Sequence, residues 1–279
     1  MQEALFNVVG KIGSMALIRK EEGDIDYNIF SRIGAELKPG MVWVSSGATE
    51  IGRLDYIKRT GKELCGDVDE VKTDYAAQGQ AVLMNNYRQF VPSEYSLRQL
   101  LVEHTHFNDP EKREHIRKLL LRAAQQGAIP IINYNDPVSF EENRKMELVR
   151  LRESTQDVVE CIDNDETAAV ICEITGAKTL LILTSTDGIY LDPNDPSTLV
   201  EEVTGNSDED LINSVEKLMQ HCEGASRAGA AGARAKLKYT LRPALLGAKV
   251  IIGSPRHRIS SLLDGDAPAT RIFINQKGQ

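Results

Sequence analysis

Two lysines near opposite ends of the sequence stand beside glycine-containing runs of the kind that bind phosphates. Lys11 precedes Gly13 and Ser14 in the run KIGS, and Lys236 follows the small-residue run AGAAGARA, which contains Gly232. A glycine lets backbone N–H groups approach a phosphate, and a lysine adds a point charge. Taken alone, the first run is more often an ordinary turn and the second a flexible connector, and the Walker A pattern is absent.

Polar residues also gather directly after apolar runs or at the start of a helical pattern. The runs are VSSGA, IINYND and IDNDETAA. In open parallel sheets, ligands bind beyond the carboxyl ends of the strands, so these polar groups are candidate contacts for a substrate. Each run also has a plain structural interpretation as a helix cap, an Asx-turn or a dipole-favoured acidic helix start. The candidate residues are Ser46, Gly47, Ala48, Asn133, Asp136, Asn164 and Asp165.

The run TSTDGIYLDP leaves the strongly apolar segment LLIL and turns sharply. Such a loop is long enough to hold a nucleotide base and ribose, although its residue types alone predict only a turn. Its polar candidates are Thr184, Ser185, Asp187, Tyr190 and Asp192.

Composition excludes several classes of protein. The net charge of −8 and the pI near 5.3 argue against a nucleic-acid binder, which is usually basic. No apolar run approaches the roughly 18 residues that span a bilayer, and no signal peptide is evident, so we expect a cytoplasmic protein without a membrane partner. The histidines and the four cysteines have no metal-ligand spacing, so we predict no protein-held metal site and reduced thiols.

Short apolar runs alternate with longer helical patterns along the chain. We predict strands over 4–9, 41–45, 128–133, 179–184 and 249–252, and helices over 74–90, 110–126, 164–175 and 232–246. This alternation predicts an α/β three-layer sandwich with a mostly parallel central sheet flanked by helices. The charged segment 137–160 is either a helical excursion or a mobile lid, and its charge run predicts a solvated face.

Taken in order, these motifs resemble the glutamate 5-kinase branch of the amino-acid kinase family. The matching stretches are VVGKIGS, VSSGATEIGR, AAQGQAVLMNNY, IPIINYND, IDNDETAA and LLILTSTDGIYLDP, and the resemblance extends from about residue 6 to 273. The resemblance implies the amino-acid kinase fold as a single domain over 1–279, in which 1–175 bind an amino-acid substrate and 176–279 bind the nucleotide. It covers the catalytic domain and not the RNA-binding-like C-terminal domain that this branch often carries.

The resemblance also implies an activity and roles for residues. The activity is ATP-dependent phosphorylation of a carboxylate to an acyl phosphate, namely glutamate to glutamate 5-phosphate in proline biosynthesis, with Mg²⁺ held mainly by the ATP phosphates. Lys11 and Lys236 become the lysines on the ATP phosphates, and Asp165 becomes the carboxylate that orients them. The implied substrate contacts are Ser46, Gly47, Ala48, Asn133, Asp136 and Asn164. The implied nucleotide contacts are Lys11, Gly13, Ser14, Thr184, Ser185, Asp187, Tyr190, Asp192, Gly232 and Lys236, with 230–236 as the phosphate loop.

Two alternatives stay open. Segment 137–160 is longer than the corresponding family loop, which leaves room for a kinase of the same fold acting on another carboxylate, a phosphate or a nucleoside monophosphate such as uridylate. Ala235 lacks the hydroxyl that the family has before the phosphate lysine, which leaves room for a non-catalytic nucleotide-binding module. We expect small-molecule partners only, and a homodimer or homotetramer, since family members usually form one or the other.

Overall fold

The computed structural model describes residues 6–139, 141–155, 158–161, 163–192, 194–223 and 230–275. Its centre is an eight-stranded sheet with the order β5-β6-β4-β1-β7-β9-β10-β8. Neighbouring strands are parallel except β9 and β10, which are antiparallel. The strands of this sheet are β1 (Val8–Ile12), β4 (Met41–Ser45), β5 (Ser96–Val102), β6 (Ala128–Tyr134), β7 (Thr179–Leu183), β8 (Glu202–Gly205), β9 (Lys249–Gly253) and β10 (Ala269–Ile274). Two short strands, β2 (Ile18–Arg19) and β3 (Asp24–Ile25), pair separately.

Helices cover both faces of the sheet. They are α1 (Tyr27–Gly34), α2 (Ala48–Thr60), α3 (Val68–Phe90), α4 (His104–Asn108), α5 (Pro110–Gln125), α6 (Glu141–Ser154), α7 (Asn164–Thr175), α8 (Asp208–Glu223), α9 (Ala230–Leu245) and α10 (Ile259–Asp264). Apolar residues of α1, α2, α3 and α10 form one buried cluster, and those of α4, α5, α7, α8 and α9 form another on the opposite face. The predicted three-layer sandwich with a mostly parallel sheet is therefore confirmed.

Side chains of the central strand alternate between the two faces, as the twofold period of a strand requires. Val8 and Ile12 join the cluster beneath α1–α3, whereas Val9 joins the cluster beneath α7. Lys11 lies two residues beyond Val9 and so projects toward the α7 face. This alternation brings a lysine side chain into a buried layer between the sheet and α7.

The prediction for the first strand was wrong in its position. Strand β1 runs from Val8 to Ile12, while the predicted segment 4–9 begins at residues 4 and 5, which lie outside the described residues. The prediction ends the strand at residue 9 and favours a turn for the run KIGS, but Gly10 and Lys11 both lie within β1. A Cβ on Gly10 would stand 2.0 Å from the Trp43 ring, so only a glycine at this position lets the Trp43 side chain pack against the strand. Lys11 can be buried in the strand because it has an acidic partner.

The predicted phosphate loop is also corrected. Residues 230–236 belong to α9, which begins at Ala230, and the preceding residues 228 and 229 lie outside the described residues. Alanine has the strongest helix propensity, and this run is rich in it, so the helix extends through it. Lys236 consequently stands in the second turn of α9 rather than the first.

The parallel strands of the sheet centre end along one edge. Ile12, Ser45 and Leu183 are aligned across β1, β4 and β7, and Tyr134 ends β6 beyond its pairing with β4. The loops after these strands and the start of α7 therefore meet at this carboxyl edge, as expected for a ligand site in an open α/β sheet. Within the described parts of the chain, no helix has the length and apolar character needed to cross a membrane.

Candidate functional site at the carboxyl edge of the sheet

Two lysines meet at one buried carboxylate. Lys11 Nζ lies 2.6 Å from Asp165 Oδ1, and Lys236 Nζ lies 3.0 Å from Asp165 Oδ2. The Asp165 side chain is fully buried, and the side chains of Lys11 and Lys236 are 5% and 16% exposed. Each carboxylate oxygen thus receives one ammonium group, and β1, α7 and α9 are tied together at a single point.

Local sequence explains why Asp165 stands at this point. Asp163 is the N-cap of α7, and its side chain accepts a hydrogen bond of 3.0 Å from the Asp165 amide. Gly176 ends the helix in the left-handed conformation, with φ of 63°. The predicted helix Asn164–Thr175 is therefore confirmed at both ends, and its first turn directs Asp165 toward β1.

The two lysines decide the ionisation of Asp165. Burial alone would raise the pKa of Asp165, but the charges and hydrogen bonds of Lys11 and Lys236 outweigh it and hold that pKa below its ordinary value. Asp163 adds a second carboxylate 3.6 Å from Lys11 Nζ, and its side chain is 42% exposed. The ionised carboxylate in turn holds both ammonium groups in position.

A chain of amide groups lies beside the lysines. Asn164 Nδ2 donates hydrogen bonds to Ser46 Oγ at 2.8 Å and to Asn133 Oδ1 at 2.9 Å. Asn133 Nδ2 donates in turn to Gln80 Oε1 at 2.9 Å. Three of the predicted substrate contacts are therefore joined, and the Oδ1 atom of Asn164 is buried without a hydrogen-bond partner among the described residues. Gln80 was not among the predicted site residues, although the run AAQGQ holds it.

Glycines let two helices approach closely enough to form this chain. A Cβ on Gly79 would stand 1.8 Å from the carbonyl oxygen of Ala48, and a Cβ on Gly52 would stand 1.8 Å from that of Tyr75. Gly47 is the N-cap of α2 with φ of 107°, a conformation that favours glycine. Gly47 and Ala48 thus start the helix that packs against α3, which carries Gln80.

Asp136 lies at the far side of the amide chain, in the 3₁₀ turn Asp136–Val138 that follows β6. It lines a cavity of about 130 Å³ together with Thr49, Tyr134 and Arg144. Burial raises the pKa of Asp136 to about 6, against a smaller opposing effect of the Arg144 charge. The Arg144 charge therefore does not fully offset the cost of burying the Asp136 carboxylate in this cavity.

The predicted nucleotide contacts lie in several settings. Thr184 directly follows β7 beside β1, and the Gly13 amide donates to the Leu183 carbonyl at 3.4 Å. Asp192 accepts a hydrogen bond of 3.0 Å from the Asn194 amide and so stabilises its own turn. The remaining members are half-buried or exposed near the same edge or at the start of α9, namely Ser14, Ser185, Asp187, Tyr190 and Gly232. Direct contacts join none of these residues to the paired lysines within the described residues, and their nucleotide roles stay predictions.

A histidine that the sequence did not single out joins this region. His257 Nε2 lies 3.0 Å from Asp187 Oδ1, and both side chains are about one-third exposed. His257 stands in the turn after β9, so its position at a strand end was the available signal. The partners are 70 positions apart in the sequence, so no local pattern indicated the pairing.

The described residues at this edge do not provide a complete set of ligands for Mg²⁺. In the described segments, no three or more His, Cys, Asp or Glu side chains are grouped so that they could hold a metal ion. Mg²⁺ is usually bound by one or two carboxylates together with substrate phosphates. Asp163, partly exposed beside Lys11, is the carboxylate within reach of a phosphate placed at the lysines.

Two of the solved structures that share this fold are named as small-molecule kinases. Carbamate kinase from Giardia lamblia bound to AMP-PNP aligns with a TM-score of 0.59 over 99% of this chain and all of that chain, at 15% identity. UMP kinase from Ureaplasma parvum aligns with a TM-score of 0.53 over 97% of this chain and all of that one, at 13% identity. At these identities the similarity shows the fold alone.

The chain belongs to the amino acid kinase family, whose model matches residues 7–254. It is 33% identical to the glutamate 5-kinase of Alkaliphilus metalliredigens over 231 residues, which are 77% of this chain and 78% of the relative. It is 27% identical to the glutamate 5-kinase of Clostridium perfringens over 96% of this chain and 91% of the relative. The resemblance seen in the motifs is confirmed, and the protein is an ATP-dependent phosphotransferase of this family.

Proposed function

We propose that this protein transfers the γ-phosphoryl group of ATP to the side-chain carboxylate of glutamate, giving glutamate 5-phosphate for proline biosynthesis. The observation that carries the proposal is the convergence of Lys11 and Lys236 on the two oxygens of Asp165 at the carboxyl edge of the sheet. The relatives named glutamate 5-kinase support glutamate as the acceptor.

The triphosphate of ATP would lie against the two ammonium groups. An ammonium group has three N–H donors, and Asp165 engages one on each lysine, so further donors remain for phosphate oxygens. A Cβ on Gly13 would find Lys11 Nζ at 3.8 Å as its nearest neighbour, so the Gly13 backbone is open to a ligand beside that ammonium. The loop with Thr184, Ser185, Asp187, Tyr190 and Asp192 would hold the base and ribose, and Gly232 would lie by the phosphates.

The acceptor would bind at the amide chain. Its reacting carboxylate would contact Ser46 and the first turns of α2 and α7, close to the lysines. The buried, unpartnered Oδ1 of Asn164 would accept a hydrogen bond from the substrate, and Asp136 would receive its ammonium group. Unsatisfied buried acceptors of this kind are costly, and a substrate donor removes that cost.

The chemistry needs no general base. A free glutamate side chain has a pKa of about 4.3 and is already ionised at neutral pH. Its oxygen attacks the γ-phosphorus, and the bond to the β–γ bridging oxygen breaks with its electron pair leaving on ADP. Lys11 and Lys236 stabilise the charge on the transferred group, and Asp165 keeps them aligned. Mg²⁺, bound mainly by the phosphates, would neutralise charge on the leaving group.

An acceptor panel tests the proposal. ADP release is measured with glutamate, aspartate, N-acetylglutamate and uridine monophosphate, and hydroxylamine is added to convert an acyl phosphate into a hydroxamate. We expect ADP and hydroxamate with glutamate above all. ADP release without hydroxamate would indicate a phosphate acceptor, and ATP binding without ADP release on any acceptor would indicate a non-catalytic module.

The variant Lys236→Ala tests the role of the second lysine. Loss of one preorganised donor to the transition state typically lowers kcat by about 10²- to 10³-fold, and we expect such a loss with the fold retained. Lys238→Ala is the matched control, since Lys238 stands two residues further along α9 and lies over the Tyr239 ring at 5.5 Å. Equal turnover of the two variants would remove Lys236 from the mechanism.

We also expect a cytoplasmic homodimer or homotetramer, as the family resemblance implies. The predicted division into an amino-acid half before residue 176 and a nucleotide half after it likewise belongs to this proposal. It agrees with the sheet, in which β5, β6, β4 and β1 lie on one side and β7, β9, β10 and β8 on the other.

A further inference from the structure

The charged segment between β6 and α7 forms a helix that is attached to the rest of the protein. Leu148 of α6 is 4% exposed, although its neighbours on the helix are mostly solvated. Glu147 Oε2 lies 2.9 Å from Nε2 of the buried His104, and Arg152 forms an ion pair with Glu160. The apolar anchor Leu148 and the Glu147–His104 contact thus fix α6 beside the carboxyl edge of the sheet. The Arg152–Glu160 ion pair links α6 to the residues that follow it.

Arg144 lies one helical turn before Leu148, on the same face of α6. Its guanidinium carbon lies 5.6 Å from the centre of the Tyr134 ring, which is within the range of a cation–π contact. Tyr134 is itself held by a hydrogen bond of 2.7 Å between its hydroxyl group and Ser139 Oγ. The arginine is therefore placed against the end of β6, next to the turn that carries Asp136.

Arg144 and Asp136 line the same cavity of about 130 Å³. The other charged residues on its wall are Asp69 and Lys72, whose ion pair of 3.1 Å neutralises both charges locally. One carboxylate and one guanidinium remain to act on a ligand. A cavity with one charge of each sign is complementary to a zwitterion, whose ammonium and carboxylate groups are close together.

We infer that Arg144 is a specificity-determining residue that binds the α-carboxylate of the amino-acid acceptor while Asp136 binds its α-ammonium group. The inference rests on the proposed function and narrows the acceptor to free α-amino acids. An N-acylated amino acid would leave Asp136 without its cation, and a nucleoside monophosphate would present no ammonium group. Segment 137–160 thereby gains a role in substrate recognition rather than only in covering the site.

The experiment compares glutamate with isoglutamine, in which a neutral amide replaces the α-carboxylate and the ammonium and side-chain carboxylate are kept. We measure kcat/KM for both acceptors in the wild type and in Arg144→Ala, or dissociation constants by calorimetry where turnover is too slow. A hydrogen-bonded ion pair is worth about 10- to 100-fold in affinity. We expect Arg144→Ala to lose that factor with glutamate, mainly through KM, and to lose little with isoglutamine.

Arg150→Ala is the control, since Arg150 is an exposed arginine of the same helix, and we expect it to leave both acceptors unaffected. A general disturbance of α6 would weaken both acceptors equally, and an unchanged preference for glutamate over isoglutamine in Arg144→Ala would overturn the inference. Either result would leave the proposed function standing if the wild type still phosphorylates glutamate. A wild type that phosphorylates only N-acetylglutamate or uridine monophosphate would overturn both.

Discussion

Replacing Asp165 by asparagine tests whether one buried carboxylate keeps two lysine charges together. The substitution preserves the shape of the side chain but removes its charge, which leaves the ammonium groups of Lys11 and Lys236 facing a neutral amide. Lys11 is 4% exposed and cannot reach solvent without movement of β1. Among the described residues, the variant therefore leaves the buried Lys11 cation with only the partly exposed Asp163 carboxylate, 3.6 Å away, as a charged partner.

The expected loss of stability follows from this burial. Removing one partner from a buried ion pair typically costs 3–5 kcal/mol. Lys236 is 16% exposed and can relieve part of the repulsion, so we expect the lower end, about 3 kcal/mol in the free energy of unfolding. A domain with a typical stability of about 5–15 kcal/mol remains folded after such a loss.

The assay is urea unfolding at pH 7 of Asp165→Asn beside Asp163→Asn. Asp163 lies 3.6 Å from Lys11 but is 42% exposed, and asparagine caps a helix about as well as aspartate does. We expect the control to lose less than about 1 kcal/mol. Equal stabilities of the two variants would refute the view that Asp165 compensates a buried charge.

The pH dependence gives a second measurement on the same variant. The pKa of Asp165 is lowered in the folded protein, so its contribution is present above the pKa of the unfolded chain and is lost as the pH falls through the folded value. The wild type should accordingly lose stability in acid more steeply than Asp165→Asn does. If the free energy of unfolding falls equally steeply in acid for the wild type and for Asp165→Asn, the pKa of Asp165 is not lowered in the folded protein.

Two further predictions concern packing and the acceptor cavity. Gly10→Ala should lower stability by about 1–3 kcal/mol in thermal unfolding, because the added methyl group would lie 2.0 Å from the Trp43 ring. The control Gly13→Ala should be nearly neutral, because the nearest atom to its added methyl group is 3.8 Å away. A larger loss in Gly13→Ala than in Gly10→Ala would contradict this packing. Asp136→Asn should raise the free energy of unfolding by about 1–2 kcal/mol at pH 7.5 and weaken glutamate binding. The pKa of Asp136 is raised to about 6 in the folded protein, so its ionisation lowers the stability of the wild type as the pH rises from about 4 to 6. Its gain should vanish near pH 3.5, and a gain that is independent of pH would contradict this account.

Local signals in the sequence predicted several central elements and missed some of the outer ones. The helix Asn164–Thr175 has an aspartate cap and a terminal glycine, so its ends were predictable. Strand β5 is at the sheet edge and mixes polar with apolar residues, and β10 is the antiparallel member, so neither shows the apolar run of a buried parallel strand. Helix α8 was missed as well, because its acidic start resembles a solvated loop.

In the candidate site, too, the residues in local motifs were predicted, whereas the contacts between distant segments were not. Lys11 was predicted from a short motif, but its position inside a strand was not, because a buried lysine in a strand makes sense only once Asp165 is placed beside it. The pairing of Asp187 with His257 depends on two loops that meet only after the sheet has formed. Arg144 lay within a charge run that predicts a solvated face, and only the buried Leu148 reveals which side of α6 faces the protein.

The buried lysine pair is better explained by a ligand than by stability. A buried ion pair contributes little net stability compared with apolar side chains of similar size, so the Lys11–Asp165–Lys236 cluster is a poor way to join a sheet to two helices. The protein also has a net charge of −8, which repels a polyphosphate at long range. A local cationic cluster with its amino groups held by one carboxylate overcomes that repulsion at one point only. The placement of the two lysines at the carboxyl edge is therefore the feature on which the proposed phosphoryl transfer rests.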